Sequence, residues 1–314
     1  VVYCDRDVDL PLAIADRYMT LVKLQQFSNI AMVPADQVQL RGANCKTASM
    51  VADELHRRGW VLSDKSFDFN NLAGDKYQGA TVLDPIKGLH TDPVATLDFK
   101  SLYPSEIMSQ NLDPATFVAD DRYRGIPGVE YKVFEWDDEK TNQHYSYTFA
   151  VSEESLLPGL LQRLGKERSN AKRRMKEYAS GSFEESIWDG VQLSVKLLSN
   201  SIYGWLGALL GNTRRHLPIA MVITYMGRTH IHMTQKYMLA RYANLKDQDA
   251  PPEERTEEQA RALCELPLEE LEERSLDVQN VYGDTGMLPN SNLLARMMRI
   301  LIYRILLLPQ IQCL

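Results

Sequence analysis

The sequence predicts an α+β fold, and three observations point there. Tyr77 to Pro85 and Val94 to Phe99 are short apolar runs that read as strands, the second holding the carboxylate of Asp98. Apolar residues at helical spacing open the chain and dominate it from Leu156 to Ala240. Clusters of Gly, Pro, Asn and Asp separate these blocks, and no internal repeat is evident.

Leu10, Leu12, Ile14, Tyr18, Leu21 and Leu24 follow Tyr3-Cys4-Asp5-Arg6-Asp7 near the helical period, so the chain opens on a helix. A second helix runs from Arg41-Gly42 to Arg58-Gly59 and stops at Gly59, before a loop rich in Asp, Asn and Gly. Tyr123 to Phe149 reads as loop-rich and alternating, with Trp136-Asp137-Asp138-Glu139 a polar turn. A helix from Leu156-Leu157-Pro158-Gly159 to about Tyr178, and another from Glu184 on, form an antiparallel pair. Gly204, Gly207 and Gly211 interrupt, and a further helix starts just after Pro218.

The 314 residues suffice for a sizeable core or for about two domains. The net charge of −7 is local: Asp247 to Asp277 holds twelve acidic and three basic residues, net −9, so the remainder carries +2. That segment, with Pro251-Pro252 and Pro267, reads as a solvated helical or partly disordered insert. Between Arg163 and Tyr178 seven Lys or Arg stand against Glu167 and Glu177, a stretch suited to phosphates.

Cys4, Cys45, Cys264 and Cys313 lie far apart, which argues against a zinc knuckle or disulfide framework and favours a reducing, intracellular compartment. Leu293 to Leu308 is apolar but broken by Arg296, Arg299 and Arg304, so no membrane association is expected. No signal peptide opens the chain, and Val1 begins mid-pattern, as a fragment would.

Three segments carry the chemistry. Asp98-Phe99-Lys100-Ser101-Leu102-Tyr103-Pro104-Ser105 sets a carboxylate at the end of an apolar run, before a turn, where it can hold a metal. Lys196-Leu197-Leu198-Ser199-Asn200-Ser201-Ile202-Tyr203-Gly204 lines up Lys196, Asn200 and Tyr203 on one helical face. Tyr282-Gly283-Asp284-Thr285 supplies a second carboxylate. In this order the chain resembles a family B DNA polymerase, with the three segments as its motifs A, B and C.

The resemblance implies a palm with an antiparallel sheet, a helical-hairpin fingers subdomain, the tail end of an exonuclease domain, and no thumb. By residue it implies the C-terminal end of a 3'-5' exonuclease domain at 1–35, first palm segment at 36–155, fingers at 156–204, second palm segment with the acidic insert at 205–285, and an atypical tail at 286–314. The implied activity is template-directed nucleotidyl transfer to a primer 3'-OH. Such transfer uses two divalent cations about 4 Å apart, and hard oxygen ligands suit Mg²⁺.

Asp98 and Asp284 would be the catalytic carboxylates and metal ligands, with the main-chain carbonyl of Phe99 as a further ligand. Tyr103 would lie under the incoming sugar and exclude a ribose, flanked by Ser101 and Leu102 on the nucleotide side. Arg168, Lys172 and Lys196 would meet the triphosphate, Asn200 would position it, and Tyr203 with Gly204 would contact the nascent base pair. Tyr3 and Asp7 match the last exonuclease motif, whose other carboxylates this chain lacks. Primer-template DNA and deoxynucleoside triphosphates are the implied partners, a sliding clamp a further candidate, and the nucleus or a viral replication site the implied location.

Two positions depart from the pattern. Glu106 stands where most relatives carry an apolar residue, and with Gly128-Val129-Glu130-Tyr131 it tilts the resemblance towards large DNA viruses, with delta-like eukaryotic enzymes next. Gly286 replaces the second motif C aspartate, which removes an oxygen that would bridge the metals. Residues 286–314 contain no Asp or Glu, where the composition of the preceding 285 residues leads one to expect about four. A frame shift, retained intron or gene-model error explains both, and a divergent Arg-edged apolar helix is the alternative. The competing functional readings are a non-catalytic nucleotide- or nucleic-acid-binding relic and a protein-primed relative.

Overall fold

The computed structural model describes residues 2–61, 79–89, 94, 96–138, 142–152, 155–207, 216–246, 252 and 255–275. The chain divides into two compact units, Val1–Gln78 with Tyr103–Thr224, and Gly79–Leu102 with Tyr225–Leu314.

In the first unit, helices α1 (Val2–Arg17), α2 (Thr20–Ala31), α3 (Ala35–Leu40) and α4 (Ala43–Arg58) come first. The end of α4 was legible, since Gly59 takes the left-handed conformation that a helix C-terminus favours, at φ 66°. After α5 (Leu102–Ser109) comes a hairpin of strands β1 (Tyr131–Asp138) and β2 (Gln143–Ala150), antiparallel in register from Tyr131 opposite Ala150 to Asp138 opposite Gln143. Its inner face buries Phe134, Trp136, Tyr145 and Phe149.

This hairpin corrects two expectations. The alternation in 131–138 is the period of a strand, and Trp136, Asp137 and Asp138 belong to β1 rather than to a turn. Conversely, 79–89 and the described part of 94–99 form no extended strand. Pro85 removes a ladder donor there, and Gly88 at φ 150° takes a backbone that side chains rarely adopt. Tyr77 and Gln78 lie outside the described residues.

The long helices α6 (Leu156–Met175) and α7 (Phe183–Gly207) pack side by side, joined by a short turn at 176–182. Leu157, Leu160, Leu161 and Leu164 of α6 and Val195, Leu198, Ile202 and Leu206 of α7 are buried at helical spacing, each stabilising by roughly 1.5–3 kcal/mol. Helices α2 and α4 pack against α7, and α4 also against α6.

The boundary between units falls within α8 (Leu217–Tyr242), between Thr224 and Tyr225. In the second unit, α9 (Glu257–Cys264) and α10 (Leu268–Arg274) show that the acidic insert is folded where it is described. Leu239, Ala240, Ala243, Leu245, Leu263 and Leu271 form its small core. Thr256 and Gln259 cap α9 reciprocally, Thr256 N–H donating to Gln259 Oε1 at 2.8 Å. Among the described residues no helix is long and apolar enough to cross a membrane.

Candidate nucleotide and template site

The motif A segment turns sharply. Ser101 adopts φ 54°, a left-handed conformation that costs a non-glycine residue about 1 kcal/mol, and α5 starts at the next residue. Asp98 is exposed, and the Phe99 ring lies 6.5 Å from that of His230 on α8. Among the described residues no three His, Cys, Asp or Glu gather as a metal site. Asp284, Gly286 and the tail lie outside the described residues.

Tyr103, 6 % exposed, packs its ring on Tyr203 of α7, with centroids 4.5 Å apart at 49°. The segments read as motifs A and B thus meet through two aromatic rings. Glu106, one turn later on α5, is also buried. On α7, Lys196 is exposed, Asn200 and Tyr203 are half-buried, and Gly204 has open space where a side chain would project. Ser201 is held from behind by Thr47 of α4, hydroxyl to hydroxyl at 2.6 Å.

On α6 the basic stretch divides by role. Arg163 pairs with Glu54 of α4 at 2.8 Å and with Glu167 at 3.3 Å. Arg174 lies over the Trp188 ring at 5.2 Å. Arg168 is half-buried and Lys172, one turn on, is exposed. The Arg168 Nε is buried without a hydrogen-bond partner among the described residues. Near the start of the chain Tyr3 and Asp7 are both exposed, four apart on α1.

Several groups at this site were missed by the sequence reading. Glu54 sits between Arg58 at 2.9 Å and Arg163; burial raises its carboxyl, but the two arginines outweigh that and hold it below its ordinary range. Asp113 is fully buried beneath the start of α6. Only its setting in Asn111-Leu112-Asp113-Pro114, a turn-former before proline, hinted at a local role. The His216 ring meets Phe117 edge-on at 5.0 Å, and desolvation holds its imidazole down at about 4.

The family described as DNA polymerase family B matches residues 33–288. The chain belongs to that family. A DNA polymerase of Paramecium bursaria Chlorella virus NY2A is 34% identical over 240 residues, 74% of this chain and 25% of the relative. The DNA polymerase delta catalytic subunit of Drosophila melanogaster is 30% identical over 246 residues, 76% of this chain and 21% of the relative. This family B chain thus spans about a quarter or less of the length of these relatives, which are of the viral and delta kinds the motifs suggested. In fold it resembles the family B DNA polymerase from the archaeon Pyrobaculum calidifontis, with a TM-score of 0.57 at 23% identity, over 91% of this chain and 31% of that one. The mixed helical architecture with its two-stranded antiparallel sheet fits a piece of such an enzyme.

Proposed function

We propose that this chain is the nucleotide- and template-handling part of a DNA-directed DNA polymerase. The observation that carries the reading is the Tyr103–Tyr203 ring contact, which joins the residue expected under the sugar to the one expected at the nascent base pair. Helix α7, which carries Tyr203, and α6 packed against it offer Arg168, Lys172 and Lys196 for a triphosphate, Arg as a fork and Lys as a point charge. Asn200, one turn from Lys196, positions the triphosphate, and the bare Gly204 gives the base pair room.

Asp98, exposed at the mouth of the α5 turn, with the Phe99 carbonyl and Asp284, would hold Mg²⁺. When bound, the metal lowers the pKa of the primer hydroxyl and steadies the leaving pyrophosphate. The chain's own residues orient the triphosphate and exclude a ribose. The segment 1–35 is assigned to the end of an exonuclease domain, with Tyr3 and Asp7 its remnant, 36–155 and 205–285 to the palm, and 156–204 to the fingers. Primer-template DNA, deoxynucleoside triphosphates and a sliding clamp are the proposed partners, in a nucleus or at a viral replication site.

Gly286 favours a second reading, a binding relic, because it offers no side-chain oxygen where the family has its second motif C carboxylate. Mg²⁺-dependent primer extension on the purified chain and on Gly286→Asp separates the two. Extension by Gly286→Asp but not by the parent supports a polymerase impaired at this one position. Nucleotide binding with no extension by either supports the relic.

A further inference from the structure

The first turn of α6 is built into its neighbours by residues that no motif contains. Asp113, with no exposed surface, turns its carboxylate to that turn, Oδ2 accepting the Leu157 N–H at 2.5 Å and Oδ1 the Ala115 N–H at 2.8 Å. Ser155 occupies the N-cap position but makes no cap bond with its side chain; its hydroxyl donates instead to Asn111 and to the Ser152 carbonyl. From α4, Arg58 donates to the Ser155 carbonyl at 3.1 Å and fills the space above Gly159. Burial pushes the Asp113 carboxyl up, against the pull of the backbone N–H donors and of Arg58. An ionised group so enclosed is costly unless those N–H donors satisfy it.

The loop carrying Asp113 continues α5. Gln110 N–H donates to the Glu106 carbonyl at 2.9 Å and Leu112 N–H to the Ile107 carbonyl at 3.0 Å. Helix α5 is therefore tied to both arms of the α6–α7 pair, to α7 by Tyr103 on Tyr203 and to α6 by Asp113.

We propose that Asp113 is a positioning residue for nucleotide binding: by holding the first turn of α6 to the α5 loop, it fixes Arg168 and Lys172 relative to Tyr103 and Tyr203. This rests on the nucleotide-handling reading above. It assigns the buried carboxylate a task beyond capping, because Arg168 and Lys172 lie on the same helix, about three and four turns past the Leu157 N–H that Asp113 holds.

The test is a dATP titration with Mg²⁺ by calorimetry on the full chain, its Asp113→Ala and Asp113→Asn variants, and Ser28→Ala, with hydrogen exchange across 156–175 on the same samples. Ser28→Ala removes a bond to the Val33 carbonyl after α2, so it destabilises without touching α6. Asp113→Ala is expected to weaken dATP binding on the order of tenfold and to speed exchange along α6. Asp113→Asn keeps one acceptor and falls between, and it remains readable should the alanine variant not fold. Ser28→Ala is expected to lower the Tm alone. A folded Asp113 variant that binds dATP as the parent does overturns the proposal and leaves a plain helix cap. A parent without affinity for dATP overturns both this proposal and the nucleotide reading.

Discussion

Tyr103 and Tyr203, a hundred residues apart in sequence, meet ring to ring at 4.5 Å. A tilted aromatic pair of this kind is worth about 0.5–1.5 kcal/mol beyond its burial. Tyr203→Ala should remove this support for the Tyr103 ring and narrow the preference for dATP over ATP, whereas Tyr203→Phe should preserve it. Paired titrations with the two nucleotides give the ratio directly.

The Thr47–Ser201 hydroxyl bond ties α4 to α7 behind the candidate site, with Thr47 fully buried. Thr47→Val keeps the shape and removes one partner. Loss of about 1 kcal/mol is expected in urea denaturation, from the bond alone, because the Ser201 hydroxyl still donates to the Leu198 carbonyl at 2.8 Å.

Gly159 lies under the Arg58 guanidinium, and a methyl group there would displace it. Although alanine is the better helix former, Gly159→Ala should destabilise the chain, because Arg58 would lose the Ser155 carbonyl. A Tm above that of the parent would show that the Arg58 bond is worth less than the helix propensity that alanine adds.

Stability should fall on the acid side of neutrality. His216, ordinarily near 6.5, is held at about 4 by desolvation. Between these values the unfolded chain binds the extra proton, so stability falls as pH drops from 6.5 towards 4, by an amount of order 2 kcal/mol. Glu54 adds to the loss below its ordinary value of 4.5, since its lowered carboxyl keeps its charge in the fold. Denaturation midpoints of His216→Gln between pH 4 and pH 7 should run flatter than those of the parent.

The long helices were legible because burial on one face writes a 3.6-residue period, and Gly59 marked its own helix end through its conformation. The β hairpin was not, because Asp137 and Asp138 look like turn residues although the alternation around Phe134 and Trp136 is that of a strand. Tyr103 and Tyr203 could be named from their motifs, but their contact depends on how α5 meets α7. Asp113 and Glu54 resisted reading for a physical reason. A buried carboxylate is defined by its N–H or arginine partners, here at Leu157 and Arg163, far away in sequence.

The most direct measurement is equilibrium binding of dATP and ATP with Mg²⁺ to the parent chain and to Lys196→Ala. The parent should bind dATP, prefer it to ATP, and lose most of that affinity when Lys196 is removed. No binding by the parent, or binding indifferent to both the sugar and Lys196, would contradict it.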